Sequence, residues 1–93
     1  MPMTLVELSG PNCPACRSQE PIARAWARSR CVDFEVLSPS EGGRGLVLAQ
    51  ACACQTVPTL AAVIGERVVY AEPGLHFDSK AMDRFWRLAE SMR

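Results

Sequence analysis

The apolar positions along this chain switch between a period of two and a period near 3.6, with turn formers at each change. Thr4 to Leu8 is short, apolar and β-compatible, and it stops at Ser9-Gly10-Pro11-Asn12, which predicts a first strand and its exit loop. From Cys13 to about Ser29 the spacing predicts a helix, with Ile22, Ala25 and Trp26 on one face and Arg17, Gln19, Arg24 and Arg28 mostly on others. Pro21 removes a backbone hydrogen bond there and crowds the preceding turn, so a kink is expected near Arg17 to Glu20. Val32, Phe34 and Val36 alternate with Asp33 and Glu35 in a second strand, Val32 to Leu37, closed by Ser38-Pro39-Ser40. After Gly42, Gly43 and Gly45, the run Leu46 to Cys52 predicts a short helix. Thr59 to Ile64 and Arg67 to Ala71 read as strands joined by the turn Gly65-Glu66, an antiparallel hairpin. Asp78 can cap a last helix to about Ser91 that buries Met82, Phe85, Ala89 and Met92.

The resulting order, β-α-β-α-β-β-α, predicts an α/β fold. Its first β-α-β unit is a right-handed crossover with parallel strands, and helices cover both faces of a four-stranded mixed sheet. At 93 residues the chain has room for one modest core, so residues 1–93 are expected to form a single domain. Ten basic residues balance ten acidic ones, and this argues against attraction to nucleic acid or to an anionic membrane. The segment starting Met1-Pro2-Met3-Thr4 lacks a basic n-region and a long apolar stretch, so export is not expected. Five cysteines in two tight clusters and a singleton are unlike a secreted disulfide scaffold. They fit a reducing cytoplasm, where such clusters mean redox chemistry or metal.

Cys13-Pro14-Ala15-Cys16 falls between a predicted strand and a predicted helix. Cys13 then lies at a helix N-terminus, where free N–H groups and the helix dipole favour a thiolate, and it is the natural nucleophile. Cys16, one turn further in, is placed to attack a mixed disulfide on Cys13 and release reduced substrate.

On these residues the chain resembles the thioredoxin superfamily from Thr4 to near the C-terminus. The order of elements, the CxxC position and Val57-Pro58-Thr59 all match. Thioredoxins carry an acidic residue six positions before the first active-site cysteine, and Glu7 stands at that place. The resemblance implies a buried carboxyl near Cys16. A lone carboxylate held in a two-sided sheet would have a raised pKa and could exchange a proton during disulfide chemistry; alternatively, Glu7 reaches solvent at the strand end. Pro21, five residues after Cys16, matches the family's helix-kinking proline. Val57-Pro58 looks like its cis-proline turn, whose backbone would pair with an extended substrate beside Pro14 and Ala15.

The subfamily signals are mixed. Ser9 and Asn12 replace the tryptophans around the thioredoxin motif, while Gly74 and Asp78 only approximate the glutathione-holding residues of glutaredoxins. Cys52-Ala53-Cys54, just ahead of the expected cis-proline turn, reads as an auxiliary redox pair, as small packing residues, or as half of a four-thiolate metal site with Cys13 and Cys16. Cys31 is expected to be a buried small hydrophobe, His76 a solvated loop residue, and Trp26 and Trp86 packing residues. The resemblance implies a monomeric disulfide reductase that needs no cofactor or metal. Its partners would be disulfide-containing proteins, with a thioredoxin reductase or glutathione as electron donor. The alternatives are a glutathione-dependent glutaredoxin and a cysteine-cluster metal-binding or interaction module.

Overall fold

A computed structural model describes residues 2–93. The elements follow the predicted order: β1 Thr4–Leu8, α1 Pro14–Arg30, β2 Phe34–Leu37, a 3-10 turn Pro39–Glu41, α2 Gly43–Ala51, β3 Thr59–Ile64, β4 Arg67–Pro73 and α3 Ser79–Met92. The sheet order is β2-β1-β3-β4. β1 and β2 are parallel across the α1 crossover, and the other two pairings are antiparallel.

Strand alternation divides the interior between two faces. Leu5, Leu60 and Ala62 turn toward α1 and α3, where they meet Ala23, Trp26, Ala27, Met82, Phe85 and Ala89. Val6, Leu8, Ala61 and Val63 turn the other way, onto Leu48 and Ala49 of α2. Each large apolar side chain buried completely in this way contributes about 2 kcal/mol. β1 and β3 are covered on both faces, which is why their sequences read as almost unbroken apolar runs.

Several element ends differ from the sequence-based expectation. α1 runs through Pro21, which is exposed. Its buried stripe is Cys16, Gln19, Ala23, Trp26 and Ala27; Ala25 faces solvent and Gln19 faces in, the reverse of the expected placement. Cys31 is exposed rather than buried. It adopts the left-handed conformation (φ 57°) that closes α1, letting Val32 N–H reach Ala27 O at 2.9 Å, and this helix end displaces the start of β2 to Phe34. α2 begins at Gly43, three residues earlier than the glycines suggested. Gly45 is required there: a Cβ would lie 2.8 Å from the Ser38 carbonyl oxygen. Asp78 caps α3 as expected, its Oδ1 accepting from Ala81 N–H at 2.9 Å. Met92, expected in the core, is 58% exposed in the last turn of α3.

Candidate functional site

The four residues after β1 lead the chain around to α1, with Asn12 in the left-handed region (φ 53°) and Cys13 in extended conformation as the helix N-cap. The cap group is the Cys13 sulfur itself, which accepts the Cys16 N–H at 3.1 Å. Proline at N1 is compatible with this start because its missing N–H has no helical partner to lose. Cys13 and Cys16 form a disulfide, with Cα atoms 5.2 Å apart. Access divides the pair: Cys16 is 2% exposed, whereas Cys13 is half-buried and Pro14 beside it is exposed.

Opposite Cys13, the Val57–Pro58 peptide bond is cis, and the Val57 carbonyl oxygen lies 3.9 Å from Cys13 Sγ. Two contacts hold this turn. Pro58 O accepts from Gly74 N–H at 2.9 Å, tying it to the loop after β4. Gly10 leaves room for Val57, since a Cβ there would come within 3.1 Å of Val57 Cγ2.

Glu7 is fully buried, and among the described residues neither carboxylate oxygen has a hydrogen-bond partner. It stands between Val36 and Leu60 across the sheet, on the face that α1 covers with Cys16 and Gln19. Of the two placements open from the sequence, the buried one holds. Burial pushes the carboxyl up from its ordinary 4.5 to about 7; the nearby Glu20 carboxylate adds to this and Arg24 opposes it. Such a group is a proton acceptor and donor near neutral pH.

Gln19 and His76 are polar residues that the sequence reading did not place here. Gln19 Oε1 accepts from His76 N–H at 2.7 Å and Gln19 Nε2 donates to His76 O at 3.2 Å, so one buried amide clamps the loop after β4 onto α1. His76, expected to be solvated, is 3% exposed: its Nε2 meets Glu72 Oε1 at 2.7 Å and its ring stands edge-on to Phe85. Burial raises the Glu72 pKa, but hydrogen bonds with Tyr70 and His76 outweigh it and leave the carboxylate below its ordinary range. The available signal was spacing, since residue 19 falls on the stripe 16, 19, 23, 26.

Cys52 and Cys54 are free thiols beyond the end of α2. Cys54 Sγ lies 3.2 Å from Thr56 O and 3.5 Å from Thr59 Oγ1. Among the described residues no group of three or more His, Cys, Asp or Glu side chains is placed to hold a metal ion, so the four-thiolate arrangement with Cys13 and Cys16 does not form. Among the same residues no helix is long and apolar enough to cross a membrane.

No protein-family model matches the chain, and no curated protein matches it in sequence. The backbone is more informative. It superposes on reduced desulfothioredoxin from Desulfovibrio vulgaris Hildenborough with a TM-score of 0.75 at 17% identity, covering 95% of this chain and 82% of that one. The chain has the thioredoxin fold. Thioredoxin NaTrxh from Nicotiana alata matches at TM-score 0.70 and 22% identity (99% of this chain, 74% of that one). Fasciola hepatica thioredoxin also matches at 0.70, with 15% identity and coverage of 99% and 82%. Within a thioredoxin fold, the disulfide at the start of α1 and the cis-proline turn facing it mark one end of the sheet as the candidate site.

Proposed function

We propose that the chain is a thiol-disulfide oxidoreductase that reduces disulfides in protein substrates, working as a single thioredoxin-like domain in a reducing cytoplasm. The observation that carries this reading is the Cys13 sulfur: half-exposed, at the N-terminus of a 17-residue helix, accepting the Cys16 N–H and bonded to a buried partner. A helix N-terminus and a directed N–H stabilise negative charge on sulfur, which lowers the cost of the thiolate.

In the reduced protein, the Cys13 thiolate attacks one sulfur of a substrate disulfide. A Cys13–substrate bond forms, the substrate S–S bond breaks, and the other substrate sulfur leaves as a thiolate. Cys16 then loses its proton to Glu7 and attacks Cys13 Sγ, which re-forms the Cys13–Cys16 disulfide and expels the second substrate thiolate. That thiolate takes up the proton. The backbone of Val57-Pro58, with Pro14 and Ala15 on the opposite side, holds the substrate segment in extended form. Electrons return to the dithiol from a thioredoxin reductase or from glutathione.

A glutathione redox titration with alkylation and peptide mass spectrometry tests the reading. A reversible Cys13–Cys16 couple is expected. Cysteines that stay fully alkylatable at all potentials would overturn it. Supplying either glutathione or a thioredoxin reductase with NADPH to the oxidised protein then identifies the donor by which of them restores the dithiol.

A further inference from the structure

Outside this site the molecule holds a second pair of sulfur atoms. Ala53, between Cys52 and Cys54, adopts a left-handed conformation (φ 53°). Its two flanking residues line one hollow of about 220 Å3, together with Thr56, Thr59, Ala71 and Pro73. The walls are uncharged, and the thiols lie near neutral oxygens: Cys52 Sγ is 3.7 Å from Ala49 O, and Cys54 Sγ lies beside Thr56 O and Thr59 Oγ1. Backbone N–H groups of the turn are directed at the Cys52 sulfur and partly offset the effects of burial and of Cys54, which push that thiol up.

The donor set selects the ligand. Zinc in structural sites takes four donors, and calcium and magnesium take six or more oxygens; the hollow offers two sulfurs and no carboxylate or imidazole. A soft monovalent d10 cation is satisfied by two thiolates, and thiolate ligands select Cu(I). We propose that Cys52 and Cys54 form a two-coordinate thiolate site for Cu(I), separate from the Cys13–Cys16 pair. Binding replaces two weak S–H contacts by two S–Cu bonds and releases two protons, with no change in oxidation state. The loaded site carries one negative charge, and the turn's backbone N–H groups are the donors that face it, because the Thr59 hydroxyl already donates to Thr56 O at 2.7 Å.

Anaerobic titration of Cu(I), competed against a chromophoric Cu(I) chelator, tests this in the full chain carrying Cys13→Ser and Cys16→Ser, which removes the competing thiols. One equivalent of Cu(I) is expected to leave the chelator, and X-ray absorption should count two sulfurs on the copper. Adding Cys52→Ser or Cys54→Ser should weaken binding by more than about a hundredfold, since loss of a ligand exceeds the 10–100-fold effect of an outer-shell change. Far-UV circular dichroism checks that these variants are folded. In the unmutated chain, oxidised at Cys13–Cys16, Cu(I) should protect Cys52 and Cys54 from alkylation. Failure to draw Cu(I) from the chelator, unchanged affinity in either folded serine variant, or three or more sulfurs per copper would each overturn the assignment.

Discussion

Replacing Glu7 by glutamine isolates the cost of holding a carboxyl group inside the sheet. Glu7 is fully buried without a hydrogen-bond partner, and its pKa is about 7 against an ordinary 4.5. The folded state therefore binds the proton more tightly than the unfolded chain does. Stability from this group is complete below about pH 4.5, where both states are protonated, falls as the unfolded chain alone ionises, and levels off above about pH 7. At about 1.4 kcal/mol per pH unit, the shift amounts to roughly 3 kcal/mol across that window. Glutamine has nearly the same volume and does not titrate, so Glu7→Gln should lack this slope. The assay is urea unfolding of the oxidised protein at a series of pH values between about 4 and 8, with the stability of wild type subtracted from that of the variant. Subtraction cancels the other titrating groups and the burial of the amide, leaving a difference that should grow by roughly 3 kcal/mol from acid to alkaline pH. Parallel curves would show that the carboxyl does not carry its proton into the fold, and the proton-transfer role proposed for it would fall with them. If that role holds, the same variant should also slow resolution of the mixed disulfide by about a hundredfold, the usual range for loss of a positioned acid-base group.

Cys16→Ser should accumulate a covalent Cys13–substrate disulfide, visible by non-reducing mass spectrometry, while Cys13→Ser should form none. Gln19→Leu strands the buried N–H and C=O of His76 and should cost about 2–3 kcal/mol in urea unfolding; a cost near zero would mean that the loop re-pairs elsewhere. Glycine to alanine inside a helix usually stabilises by up to about 1 kcal/mol. At Gly45 the sign should reverse, to a loss of about 1–3 kcal/mol, because the added Cβ meets the Ser38 backbone at 2.8 Å; a rise in Tm would refute that contact. Asp78→Ala removes the cap on Ala81 N–H and should lower stability by about 1 kcal/mol.

How far the sequence reaches depends on the range of the interaction. The apolar run Thr4 to Leu8, the alternation of Val32, Phe34 and Val36 with Asp33 and Glu35, the turn at Gly65-Glu66 and the cap at Asp78 are set within a few residues, so the strands and α-helices were legible in order. The Cys13–Cys16 spacing was legible for the same reason, whereas the Val57-Pro58 turn was expected from the likeness to thioredoxins. Two of the places where the reading went astray depend on a distant partner. Gln19 looked like a surface residue until the backbone of His76, 57 positions away, took up both ends of its amide. His76 looked solvated until Glu72 and Phe85 enclosed it. Cys31 looked like core, yet the geometry of the helix end turned it outward. For Cys52 and Cys54 the sequence left three readings open, and only the fold excludes, among the described residues, the one that joined them to Cys13 and Cys16 around a metal.

By itself, then, the sequence determined the elements, their order and the thiol pair at the head of the first helix, because periodicity and turn chemistry act along the chain; the acidic position before that pair was marked by the likeness to thioredoxins. Only the tertiary structure decided which polar groups are buried, what satisfies them and that Glu7 has no hydrogen-bond partner among the described residues. Burial and hydrogen bonding are settled between residues far apart in sequence, when the sheet closes against its helices.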